Sequence, residues 1–116
     1  MYEKVKQVVW IGDSKKQLKK FPTKVQRNIG YALYFAQRGE LHPNAKPMKG
    51  LGSGIFEIVD NFNTDTYRAV YGVRIANNLY VLHVFQKKSK QGIKTPKKEI
   101  DLIKERLKQA KGVAYD

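Results

Sequence analysis

Cations dominate the side chains that could do chemistry. The run YVLHVFQKKSKQGIKTPKKEI, residues 80–100, carries Lys87, Lys88, Lys90, Lys94, Lys97 and Lys98 before one acid, Glu99, answers them. Like charges this dense repel one another and oppose folding, so they are expected to face an anion outside the chain. Arg68 stands alone in TYRAVY, and KPMKG adds Lys46 and Lys49. Guanidinium and ammonium groups suit phosphate, because they donate charge-assisted hydrogen bonds and stabilise negative charge developing on oxygen. Other chemistry is thinly supplied. The two histidines, His42 and His83, have no cysteine behind them, too little for a His-based metal site, so no metal and no cofactor is expected. HExxH, GxSxG and a Gly-rich phosphate loop before a helix are all missing.

Each candidate also has a plain structural explanation. Lys46 and Lys49 could simply solubilise a surface loop. Strand alternation puts Tyr67, Ala69 and Tyr71 on one face and Arg68 with Val70 on the other. An arginine there is costly unless paired, so Arg68 is either bridged to a carboxylate such as Glu57 or aimed at a phosphate. His83 shares the face of Phe85 and reads first as a satisfied strand histidine, second as a catalyst. Glu57 could be a general base or a solvent-facing strand residue. Gln86, Lys87 and Lys88 follow directly on LHVF, where a strand leaves the core, and such rims collect functional side chains.

The elements that must position these groups can be traced. VKQVVWI, residues 5–11, reads as a short strand broken by Gly12, with Asp13-Ser14 as the N-cap of a short helix through Phe21. A longer helix runs from Pro22 to Gly39, with Val25, Ile29, Ala32, Leu33 and Ala36 on one face. Residues 40–54 are rich in Pro and Gly and are expected to be loop. Strands are predicted over 54–59, 66–75 and 78–87, turning at 60–65 and at Ala76-Asn77-Asn78. Thr95 should cap a last helix with Pro96 at its first position and a stripe of Ile100, Ile103, Leu107 and Ala110. The expected fold class is α+β, in the order β-α-α-β-β-β-α, with helices against an antiparallel meander.

Composition sets the class of partner. The 116 residues suit one domain, 1–116, and 41% hydrophobic content supports a packed core. With 23 Lys and Arg against 10 Asp and Glu, the net charge of +13 attracts polyanions, RNA and DNA first among them. The N-terminus lacks the apolar core of a signal peptide, and no run is long enough to span a membrane. A cytoplasmic basic domain with no membrane partner is the expectation, and the lack of cysteine suits a reducing compartment.

Taken together, WIGDSKKQLKKFP, KPMKGLGSGIFEI, DTYRAVY, YVLHVFQKKS and GIKTPKKEIDLIKERL resemble the RelE/HigB toxin superfamily, in its phage-derived-protein-like branch. The resemblance covers residues 8 to about 108. It implies a RelE-like fold, with two N-terminal helices packed on an antiparallel sheet and a C-terminal helix. It also implies a toxin of a type II toxin–antitoxin system: a ribosome-dependent endoribonuclease (an mRNA interferase) held inactive by a HigA-like helix-turn-helix antitoxin. The ribosome and mRNA are then partners. By that resemblance Arg68, Lys46, Lys49, Lys87 and Lys88 match the places that act on the scissile phosphate. His83 is the one histidine near the last strand, with no adjacent acid in sequence, so the general base stays unassigned. The implied chemistry is attack of the 2′-hydroxyl on phosphorus without metal, with a lysine whose pKa is depressed by its lysine neighbours moving a proton. Lys90, Lys94, Lys97, Lys98 and Arg74 are expected to grip RNA. A toxin of this fold that inhibits DNA gyrase, or a non-catalytic basic nucleic-acid-binding module, would fit the same charge.

Overall fold

A computed structural model describes residues 5–88 and 95–115. Among the described residues the elements are, in order, β1 (Val8–Trp10), α1 (Ser14–Lys19), α2 (Thr23–Gln37), β2 (Ala45–Pro47), β3 (Ile55–Phe62), β4 (Asp65–Ile75), β5 (Asn78–Lys87) and α3 (Lys97–Tyr115). The sheet order is β1-β5-β4-β3-β2. Helices α1 and α2 cover one face and carry the chain from β1 to the opposite edge. The meander β2-β3-β4-β5 then returns, so β5 arrives beside β1 running parallel to it. The mixed sheet corrects the expectation of a purely antiparallel one, since two helices of crossover allow a parallel neighbour.

Alternation along the strands separates two cores. Val25, Ile29, Ala32, Leu33 and Ala36 of α2, the face predicted from spacing, pack on Tyr67, Ala69, Tyr71, Leu79 and Val81. On the other face Ile103, Leu107 and Ala110 of α3 pack on Val70, Tyr80, Leu82 and Phe85. A fully buried branched side chain contributes roughly 1.5–3 kcal/mol, so α3 is held by its stripe rather than by its many charged residues.

The turns are tighter than expected. β3 runs on to Phe62, and its turn into β4 is Asn63-Thr64, both at positive φ (49° and 69°). The next turn is Ala76-Asn77, at 46° and 62°. Positive φ at both central residues marks hairpin turns whose twist matches the flanking strands. The predicted 40–54 loop contains β2, whose Lys46 pairs with Glu57 and whose Pro47 is tolerated because the strand is an edge.

One irregularity matters for the site. Val70 pairs with His83, but the next residue, Tyr71, pairs with Val81, so β5 carries an extra residue at Leu82. A bulge of this kind turns two successive side chains toward one face. Leu82 enters the α3 core while His83 bonds residues of α3. Among the described residues no helix is long and apolar enough to cross a membrane.

Candidate functional site

The α3 face of the sheet gathers the polar residues in rows. Lys46, Glu57, Val70 and His83 form one row across β2-β3-β4-β5, and Val59, Arg68 and Phe85 form the next. Asn61, Thr66 and Lys87 form a third, at the end of the sheet where β5 leaves. Arg68 and Glu57 are therefore diagonal neighbours on one face, close enough for long side chains to meet. They do meet: Arg68 Nη1 donates to Glu57 Oε1 at 2.7 Å, and both side chains are buried. Of the two explanations for Arg68, pairing with Glu57 is the one observed. Thr95 does not cap α3. Its hydroxyl donates to the other Glu57 oxygen at 3.3 Å, while the Pro96 carbonyl accepts from the Ile100 N–H.

Lys87 lies beside this pair and is only 2% exposed, so it is not the solvated rim residue that its position after LHVF suggested. Burial pushes its ammonium pKa down, and the Arg68 charge adds to the effect while Glu57 opposes it. A depressed lysine was expected, but from lysine neighbours. The causes are desolvation first and an arginine second.

His83 is held from both sides. Its Nε2 stands 3.1 Å from Glu99 Oε2, its Nδ1 stands 3.1 Å from Arg106 Nη1, and its ring stacks on Phe85. The absence of an acid near His83 in sequence is corrected here, since Glu99 arrives from the first turn of α3. Arg106 Nη1 also donates to the Leu82 carbonyl, and Nη2 donates to Asp13 Oδ1 at 2.6 Å. Asp13 therefore spends its carboxylate on Arg106 and Gln17 instead of capping α1, and Arg106 holds its pKa below the ordinary value. Burial lowers the His83 pKa, with Glu99 opposing, so the ring is held toward its neutral form.

A small cleft of about 100 Å³ opens onto the cluster, lined by Phe85, Gln86, Lys87, Pro96, Lys98 and Glu99. A carboxylate and a depressed lysine thus face one space, an arrangement able to take a proton at one side and give one at the other. Lys88 is exposed, 4.0 Å from Asp65, and Lys97 is exposed and pairs with Asp101 at 3.3 Å. Lys46 sits at the sheet edge across from Glu57. Lys49 lies one residue past Met48, which pairs with Ile55, and so belongs toward the opposite end of the sheet from Lys87. Arg74 is farther still: eight residues along β4 from the partner of Lys87, about 25 Å at strand rise. Lys90 and Lys94 lie outside the described residues. Arg106 was missed in sequence, although a charge interrupting the Ile103-Leu107-Ala110 stripe was the available signal.

Comparison with known proteins follows the same outline. The family described as Phage derived protein Gp49-like (DUF891) matches residues 16–108, and the chain belongs to it. That family is known for RelE/HigB-like toxins, and membership suggests the toxin half of a toxin–antitoxin pair, with an antitoxin as partner. No curated protein and no solved structure matches the chain.

Proposed function

We propose that this protein has a RelE-like toxin fold and cleaves mRNA on the ribosome. The observation that carries the proposal is the meeting of Glu99 and Lys87 across one cleft, on a strongly cationic chain of a toxin-associated family. Glu99 takes the proton from a ribose 2′-hydroxyl, whose oxygen attacks the adjacent phosphorus. The 5′-oxygen leaves with a proton from the Lys87 ammonium, and the products are a 2′,3′-cyclic phosphate and a 5′-hydroxyl. A lysine with a depressed pKa gives up its proton more readily, which suits the acid role. His83 donates Nε2–H to Glu99 and orients it, and Arg106 fixes His83 in turn. Arg68, locked on Glu57, supports Lys87 from behind, and Lys98 at the cleft mouth meets a phosphate.

Expression without an antitoxin tests this reading. Growth should arrest while new mRNA 5′ ends appear within translated reading frames. Arrest with intact messages and accumulating gyrase–DNA adducts would instead identify a gyrase inhibitor of the same fold.

A further inference from the structure

The bonds behind Glu99 begin outside the cleft, at the turn between β1 and α1. Asp13 stands in that turn, and the residues around it are pinned to β5. The Ile11 N–H and the hydroxyl of the fully buried Ser14 both donate to the Val81 carbonyl, at 2.9 and 3.2 Å. Gln17 donates to Asp13 Oδ2 at 3.0 Å, which leaves Oδ1 for Arg106 Nη2 at 2.6 Å. The Asp13 side chain makes no cap bond to α1, so the helix start does not need its carboxylate. The Arg106 guanidinium lies against Gly12, where a Cβ would crowd it at 2.9 Å.

Arg106 is 8% exposed, and among the described residues Asp13 is its only carboxylate partner. Its other bonds go to the Leu82 carbonyl and to His83 Nδ1, neither of them a counter-charge. A guanidinium this buried is strongly disfavoured without one. The Asp13 side chain is 45% exposed, so water begins just beyond the pair. With that carboxylate removed, the guanidinium gains most by turning out to water, and His83 Nδ1 loses its donor. The ring is then free to carry a proton on Nδ1. If neutral, it turns the Nε2 lone pair toward the Glu99 carboxylate; if charged, it holds Glu99 in an ion pair. Neither form leaves Glu99 both oriented and available as a base. A half-exposed ion pair contributes little to folding by itself, so what this one chiefly fixes is the ring.

We propose that Asp13 is a positioning residue for the cleft: it holds Arg106 on His83 Nδ1, and so keeps the ring proton on Nε2 against Glu99. The proposal rests on the reading of Glu99 as the base. Among the described residues Asp13 bonds neither His83 nor Glu99, and it acts on both through Arg106.

The test follows the ring nitrogens of His83 against pH by nitrogen NMR of the full chain, with His42→Gln identifying the other ring. Wild type is compared with Asp13→Ala and with Asp13→Glu, which keeps the carboxylate, and thermal unfolding is recorded alongside. Burial holds the ring's pKa low; Glu99 raises it, Arg106 lowers it, and Asp13 raises it more weakly. The sign of the change therefore reports where Arg106 goes. If Arg106 swings out, the ring protonates at higher pH; if it stays, loss of Asp13 alone moves protonation lower. Asp13→Ala should move it higher and weaken the preference for the Nε2–H form. It should also lower kcat on translated message by about 10-fold or more, with KM for ribosomes little changed. Asp13→Glu should restore both the ring and kcat. A variant that only loses thermal stability, with ring and kcat as in wild type, would overturn the proposal. So would a ring in Asp13→Ala that keeps its Nε2–H form or protonates at lower pH, and so would an unchanged kcat beside a ring that responds. Should Asp13→Ala fail to fold, Asp13→Asn, of the same shape without the charge, is read by the same criteria. A ring that responds as expected in a protein that cuts no message would defeat the ribonuclease reading alone.

Discussion

Arg106 Nη1 stands 3.1 Å from His83 Nδ1. A guanidinium can only donate, so Nδ1 is the acceptor and the ring proton belongs on Nε2, facing the Glu99 carboxylate 3.1 Å away. The histidine is thereby a neutral donor that orients an acid, and the acid is left to act as base.

The first prediction concerns pH. Burial lowers the folded pKa of His83 below its ordinary 6.5, so between those values the unfolded chain binds more protons than the folded one. Stability from this group is full above about 6.5 and falls as pH drops through the folded pKa. Denaturant unfolding across that window should show the loss in wild type and a flatter profile in His83→Gln. Equal slopes would count against a buried neutral ring.

Gly12 gives a second. Its φ is +59°, and a Cβ there would lie 2.9 Å from Cζ and Nε of Arg106. Gly12→Ala should cost about 1–3 kcal/mol through backbone strain and displacement of that guanidinium. A change under about 0.5 kcal/mol, the scale of ordinary surface substitutions, would show that Arg106 adjusts freely.

The third separates support from chemistry at Arg68. Arg68→Ala strands the buried Glu57 carboxylate and should cost about 3–5 kcal/mol in urea unfolding. Arg68→Met with Glu57→Leu should recover most of that stability, because an apolar pair of similar volume replaces a desolvated one. If the single variant unfolds like wild type, the pair is not what holds these strands together.

These outcomes bear on what a linear sequence can reveal. The α2 face, the α3 stripe and all three long strands were legible, because hydrophobic period follows directly from element geometry. The Arg68–Glu57 alternative was legible too, since strand alternation puts Glu57 and Arg68 on one face once β3 and β4 pair. The His83–Glu99 dyad was not. Alternation puts His83 on the face of Phe85, but nothing in YVLHVF shows that Glu99, sixteen residues on, returns to it from the first turn of α3. The burial of Lys87 was hidden for a similar reason: the start of α3 closes over the end of β5, a tertiary event no local pattern announces. β2 escaped notice because Pro47 and the flanking glycines carry every mark of a loop.

Lys87 supplies a fourth prediction. Lys87→Met keeps the length of the side chain and removes an amine whose burial opposes its charge. The variant should lose mRNA cleavage by about 10²-fold or more, the scale of a positioned proton donor, and thermal unfolding recorded alongside shows whether the fold is kept. A stable variant with full activity would remove Lys87 from the chemistry.

The central claim is that Glu99 acts as base on ribosome-bound mRNA, and primer extension on a single message tests it most directly. The purified protein is added to that message either free or under translation on ribosomes. Wild type should cut only the translated message and leave 2′,3′-cyclic phosphate ends. Glu99→Gln should bind the same ribosomes and cut at least about 10²-fold more slowly. Intact message in the presence of wild type, or cleavage undiminished in Glu99→Gln, would contradict the account.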